Sequence, residues 1–231
     1  MGPKYAGYQC WRDLLFVHWK VDPEVIQQRL PDGLEVETFD GSAWLGVVPF
    51  SMERIRPWWS PPLPGISWFL ETNLRTYVRH QNGETGVWFF SLDATNFVAV
   101  TVAKKIWHLN YRMAPLSMKK VDRHIHYSGN LTANEYHLEI ELPTETALKT
   151  SVEGTIDHFL LERYRLFAQR RDGRFFTGLV HHEPYQFKVP EIQKLRQQIT
   201  DQVCPDIANK GPAHLAWSPG VDIAVSKLEF I

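Results

Sequence analysis

The chain has 231 residues, 44% of them hydrophobic and 13% aromatic, enough to bury a sizeable core, and its formal net charge is −1. Its lysines and arginines are scattered, so nucleic-acid and anionic-membrane footprints are excluded. Two cysteines, Cys10 and Cys204, without CxxC or zinc spacing argue against a disulfide framework, and with no apolar signal core or ~18-residue apolar run the expectation is a cytoplasmic, non-membrane protein. In chain order, residues 14–19 read as a strand. Asp22 then caps a short helix with Pro23 at its first position, carrying Val25, Ile26 and Leu30 and ended by Pro31-Asp32-Gly33. Residues 34–38 and 43–52 follow as strands joined at the Asp40-Gly41 turn. The prolines between Pro57 and Gly65 fix φ and remove donors, which forbids regular structure there. Trp58 and Trp59 in that loop are expected to pack down, since large aromatics are costly to leave wet.

Residues 69–78 carry the most informative pattern. Strand alternation sends Phe69, Glu71, Asn73, Arg75 and Tyr77 to one face and Leu70, Thr72, Leu74, Thr76 and Val78 to the other. A turn at Gln81-Asn82-Gly83-Glu84 leads into residues 86–93, a nearly continuous apolar run of the kind buried on both sides. A buried hairpin with Glu, Asn and Arg on one face predicts a polar pocket inside a sheet. Further strands are predicted over 98–103, 121–127 and 135–142, with a bend near Gly129-Asn130 between the last two. Thr155 can cap a helix bearing Ile156, Phe159, Leu160 and Arg163. Residues 164–169 and 175–182 form a hairpin across Arg171-Asp172-Gly173, an amphipathic helix spans 190–203, and 221–225 closes as a strand. Many strands with a few short helices, and no repeat or linker, predict one α+β domain over 1–231 in a closed or half-closed barrel.

Recognised catalytic motifs are missing: there is no GxSxG elbow, Walker loop, GxGxxG or HExxH. Ser91 and Asp93 share a strand face and could orient a hydroxyl, although such pairs more often satisfy local backbone groups. His124 with His126, and His181-His182-Glu183, could contribute metal ligands, but neither has a second partner at metal spacing, so no metal or cofactor is expected.

Several motifs in order, Trp11-Arg12-Asp13-Leu14-Leu15-Phe16, Leu30-Pro31-Asp32-Gly33-Leu34, Gly46-Val47-Val48-Pro49-Phe50, Glu71-Thr72-Asn73-Leu74-Arg75-Thr76-Tyr77 and Gly86-Val87-Trp88-Phe89-Phe90-Ser91-Leu92, resemble the YqjF-like family. The likeness runs through Phe159-Leu160-Leu161-Glu162-Arg163-Tyr164. That family is placed in the acetoacetate decarboxylase-like superfamily, so the resemblance implies an α+β fold: a mostly antiparallel β-barrel of the acetoacetate decarboxylase-like type with a few short helices and a central polar cavity. Decarboxylases of the superfamily form a Schiff base through a lysine activated by a second lysine. By flanking pattern Arg12 falls on a cavity arginine of the family and Glu71 on its glutamate, while the lysine pair becomes Tyr111 and Arg112, neither of which can form a Schiff base. Lys104-Lys105 lies several residues too early and reads as a solvated strand end.

Arg12, Glu71, Asn73, Arg75 and Arg112 are therefore the candidate ligand-binding residues, with Glu71 and Tyr111 the candidate catalytic pair. The arginines would hold a carboxylate and Glu71 would act as counter-charge or proton acceptor. The bland counterpart is an internal Glu71–Arg75 or Glu71–Arg12 ion pair. The expected function is capture of a small anionic or keto-acid-like ligand without Schiff-base decarboxylation. The alternatives are an acid/base enzyme using Glu71 and Tyr111, and an interaction module that forms a homo-oligomer through its Trp58-Trp59 loop.

Overall fold

The computed structural model describes residues 4–103, 107, 109–130, 135–145, 147–170 and 172–231. Lys104, Lys105 and Arg171 lie outside them. The first strands are β1 (Gly7–Val21), β2 (Leu34–Val36), β3 (Ala43–Pro57), β4 (Phe69–His80), β5 (Thr85–Ala94) and β6 (Tyr111–Met113). They are followed by β7 (Leu116–Val121), β8 (His124–Gly129), β9 (Tyr136–Glu141), β10 (Lys149–Thr150), β11 (Arg165–Gln169) and β12 (Phe175–His181). The last are β13 (Gln186–Phe187), β14 (Glu191–Gln197), β15 (His214–Val225) and β16 (Glu229–Phe230). Among the described residues three short α-helices, α1 (Pro23–Gln27), α2 (Phe97–Val102) and α3 (Ile156–Leu161), interrupt them. No helix among the described residues is long and apolar enough to cross a membrane.

Hydrogen-bonded neighbours in the large sheet run β4-β3-β1-β15-β12-β11-β5, and β5 pairs back to β4. Two seams of this circuit are short. β12 meets β15 only at Val180–Val225 and His181–Ala224, and β11 meets β5 only at Leu166–Val87 and Phe167–Trp88, in parallel. The expected barrel is thus a partly closed ring, because two seams hold just two residue pairs each. A second antiparallel sheet, β14-β9-β8-β7, packs on the outside of the ring. Leu15, Val17, Leu45, Val47 and Leu74 bury against its Ile125, Tyr127, Leu138 and Ile140. The interior holds a separate cluster around Leu14, Phe16, Val48, Phe50, Phe69 and Ile223. Alternation along β4 divides the two as expected. Leu74 joins the outer cluster and the Thr72 hydroxyl meets that of Tyr136 at 2.5 Å, whereas Phe69 joins the inner one.

Four sequence expectations are corrected by tertiary context. Residues 98–103 are not a strand. The Asn96 side chain accepts from Ala99 N–H and starts α2, overriding the β-branched run Val98, Val100, Val102. The strand expected over 121–127 is broken by a turn, since Asp122 takes a left-handed φ of 53° and separates β7 from β8. The helix expected over 190–203 is β14 followed by a 3₁₀ turn at Ile199–Gln202. A bulge between Ile192 and Lys194 brings Ile192 opposite Ile140 and Leu195 opposite Leu138, so residues three apart share a face and imitate helical spacing. Trp58 and Trp59 do not pack down; they are 50% and 71% exposed, because their loop is fixed by backbone and Ser67 contacts that leave the rings outside.

Candidate functional site

The inner face of the ring encloses a cavity of about 170 Å³. An engineered cavity of ~150 Å³ accommodates benzene, so this volume suits a small organic molecule. The polar residues Glu71, Asn73 and Arg75 of β4 line it together with Phe69, across from Val48 and Phe50 of β3 and Phe89 and Leu92 of β5. A bulge between Leu74 and Arg75 shifts the β4–β5 register, which turns both Phe89 and Leu92 inward although they stand three residues apart.

Tyr111 enters from β6, held parallel to β5 by the Leu92–Tyr111 pairing, and its hydroxyl donates to Glu71 Oε2 at 2.8 Å. Glu71 is only 4% exposed. Burial, reinforced by the charge of Asp93 and opposed by the Tyr111 bond, pushes its carboxyl up to about 8. At neutral pH it is therefore largely a neutral acid. It accepts from Tyr111 on one oxygen, which leaves the proton on the other. The Tyr111 hydroxyl is raised too, by burial and by the neighbouring Glu71.

Arg75 is 7% exposed, and among the described residues no carboxylate lies within ion-pair distance of it. Its Nη2 donates to the Leu160 carbonyl at 3.0 Å and to the Tyr77 hydroxyl at 3.3 Å, while Nε has no partner. The guanidinium stacks 5.4 Å from the Phe16 ring centre and 5.6 Å from that of Tyr77. Neither internal ion pair, Glu71–Arg75 or Glu71–Arg12, is present. Asn73 Oδ1 is buried without a partner as well.

Arg12 and Arg112 are not brought to the cavity. Asp13 takes a left-handed φ of 49°, and Trp11 and Leu14 occupy the inward positions on either side. Arg12 turns outward to donate to the carbonyls of Trp11 and Val221, both at 2.9 Å, and to pair with Asp222. Arg112 follows Tyr111 and so faces the opposite way. Its Nε and Nη2 grip the buried Asp93 at 2.6 and 2.8 Å, and Nη1 meets Gln202 at 2.7 Å. Asp93 thus points away from the cavity, and Ser91 shares its face across from Leu74. Of the histidines, His181 meets Ser226 at 2.8 Å, and among the described residues no group of three or more His, Cys, Asp or Glu converges as metal ligands.

Among the cavity residues missed by sequence reasoning are Arg163, Tyr164, Arg165 and Tyr185. The Arg163-Tyr164-Arg165 run entering β11 is the one signal that could have found three of them. Both arginines have a carboxylate partner, Arg163 in Glu37 at 2.8 Å, which Arg79 shares at 2.9 Å, and Arg165 in Glu84 at 2.7 Å. Arg75 differs from them in lacking such a partner.

The profile of the family DUF2071, described as an uncharacterized conserved protein, matches residues 8–222. The uncharacterized protein YqjF of Bacillus subtilis (strain 168) is 34% identical over 194 residues, covering 84% of this chain and 79% of its own. Among solved structures, an acetoacetate decarboxylase from Legionella pneumophila superposes with a TM-score of 0.69 at 10% identity, over 100% of this chain and 90% of that one. The enduracididine biosynthesis enzyme MppR, in its complex with pyruvate, gives 0.64 at 10% identity over 100% and 91%. At such identities the likeness is one of fold.

Proposed function

The chain belongs to the DUF2071 family, with an acetoacetate decarboxylase-like fold, and from that premise we propose that its ring cavity captures a small carboxylate, a keto acid by preference, without Schiff-base chemistry. The observation that carries this is Arg75, a buried guanidinium facing an apolar cavity with no anionic partner among the described residues. Leaving a buried charge uncompensated is costly, by several kcal/mol, and a ligand carboxylate would remove that cost through a bidentate contact. A neutral Glu71 leaves the site's net charge positive and offers a proton to a ligand oxygen. Pyruvate bound to MppR is a ligand of the same class on a similar fold. Tyr111 and Arg112 stand where the resemblance places the lysine pair, so no amine is available there for a Schiff base. A cytosolic setting agrees with the free thiols of Cys10 and Cys204.

A thermal-shift screen of small carboxylates and keto acids tests the assignment. A ligand at ~100 times its dissociation constant adds ~2.7 kcal/mol of stability, and Arg75→Gln is expected to erase the shift. An equal shift in both proteins would exclude Arg75 as the anchor.

Glu71, raised to about 8 beside Tyr111, favours a second reading, an enzyme that moves a proton at the carbon next to a bound carbonyl. Uptake of solvent deuterium into pyruvate, lost in Glu71→Gln, is the expected sign, and no exchange in wild type would leave the binding role alone. Exposure of Trp58 and Trp59 keeps self-association open as a third reading. Replacing both by Ser would then lower the mass in solution, and an unchanged mass would reject it.

A further inference from the structure

One row across the ring joins four strands: His214 of β15 pairs with His18 of β1, His18 with Gly46 of β3, and Gly46 with Arg75 of β4. Gly46 is needed for the row to close. A Cβ there would sit 2.7 Å from the His18 ring and 3.6 Å from Arg75 Cγ. The two histidines belong to a chain of contacts running inward from α3. Asp157 Oδ1 meets His214 Nε2 at 2.9 Å, and His214 Nδ1 meets His18 Nδ1 at 3.0 Å. His18 Nε2 meets the Tyr77 hydroxyl at 2.7 Å, and that hydroxyl reaches the Leu160 carbonyl at 2.9 Å.

Counting hydrogens in this chain is decisive. Its two ends, an ionised Asp157 and the Leu160 carbonyl, only accept. Four links therefore need four hydrogens, whereas two neutral imidazoles and one phenol supply three. A fourth proton satisfies every link and makes one histidine an imidazolium beside Asp157. Without it one link stays empty, and the place where the gap does least harm is the Leu160 carbonyl, since Arg75 Nη2 also donates there at 3.0 Å. Tyr77 can then turn its hydrogen toward His18.

We propose that Asp157, His214, His18 and Tyr77 form a proton-holding chain coupled to Arg75, one that takes up a proton when Arg75 turns from the Leu160 carbonyl to an anion in the cavity. The anion draws Nη2 off that carbonyl, the Tyr77 hydroxyl replaces it, and the hydrogen Tyr77 withdraws from His18 is made good by a proton reaching the pair through Asp157, which is partly exposed. This deepens the anion-capture function proposed above and rests on it. The surrounding charges agree in sign. Burial, His214 and Arg75 hold His18 well below the ordinary histidine range, and burial lowers His214 while Asp157 opposes that. Neutralising Arg75 with an anion lifts part of the repulsion, so affinity rises as pH falls through the pair's titration. Arg163, also over the Tyr77 ring at 5.7 Å, is balanced by Glu37, and Tyr185 packs edge-on against Phe16 beside His18. Glu71, on the same strand, titrates near 8, in a separate window.

Two measurements test the chain, one without ligand. In imidazole NMR titrations, His18 and His214 are expected to take one shared proton, with its midpoint raised about one pH unit in Arg75→Gln. Independent titration of the two rings, or an unmoved midpoint, would overturn the coupling. In calorimetry with pyruvate at about pH 6, in buffers of differing ionisation enthalpy, wild type is expected to absorb protons on binding and His214→Gln to absorb none. Equal uptake in both overturns the proposal. Failure of any small carboxylate to bind wild type refutes the functional assignment instead, and the NMR arm then decides the chain alone.

Discussion

Replacing Glu71 with Gln should stabilise the protein, and by an amount that grows with pH. The carboxyl titrates at about 8 in the folded state against 4.5 for the ordinary group. Over that interval the folded state holds a proton that the unfolded state has lost, so stability falls as pH rises. The stabilising contribution is complete below 4.5 and gone above about 8. At ~1.4 kcal/mol per pH unit the whole interval is worth ~5 kcal/mol. Glutamine never ionises, and its side-chain carbonyl can still accept from the Tyr111 hydroxyl now bonded to Glu71 Oε2. The variant should therefore match wild type within ~1 kcal/mol near pH 5, exceed it by ~3 kcal/mol near pH 7 and by ~5 kcal/mol near pH 9. Urea unfolding of both proteins at the three pH values reads the difference directly, and every other titrating group cancels in the comparison. A difference that stays constant with pH would show that Glu71 ionises normally and that the cavity does not hold it neutral. Tyr111→Phe sharpens the test: the lost bond favoured the ionised form, so the wild-type decline should move to higher pH.

Arg112→Ala should cost ~3–5 kcal/mol, because it strands the fully buried Asp93 carboxylate that Arg112 grips through two hydrogen bonds. Carboxylate binding in the cavity should be unchanged, since Arg112 faces the other way; a weakened ligand with an intact fold would contradict that orientation. Asn96→Ala removes the α2 cap and the two donations from Asn96 Nδ2 to the Gly65 and Ile66 carbonyls. Its expected cost is ~1–2 kcal/mol, together with faster protease cleavage in the 57–68 loop, and equal cleavage rates would show that the loop is held by other contacts.

Where the strand period runs unbroken, the chain could be read correctly from its residues. Glu71, Asn73 and Arg75 face the cavity together because nothing interrupts the alternation of β4 up to Arg75, and helix α3 starts where Thr155 caps it. Errors fall where the period breaks. The left-handed Asp13 keeps Trp11 and Leu14 inward and turns Arg12 out, and the bulge in β14 made a strand look helical. Likewise the left-handed Asp122 split one expected strand into two. Each is a local backbone event of one or two residues, with a sequence signal too weak to outweigh the hydrophobic pattern around it.

The proton chain lay beyond sequence reasoning for a different reason. His18 and His214 are 196 positions apart and Tyr77 and Leu160 are 83 apart, so no spacing rule brings them together. The inward alternation of Arg75, by contrast, was legible in the sequence. An arginine alternating inward beside a neutralised glutamate must find either an internal anion or an external one. Every other arginine found to line the cavity has its carboxylate, and Arg75 has instead a carbonyl it shares with Tyr77 and a ring stack on Phe16. Those neutral contacts hold the guanidinium in place without discharging it. On the proposed reading such a pocket is poised for an anion, and His18, itself repelled by Arg75, belongs to the pair whose protonation would report the anion's arrival.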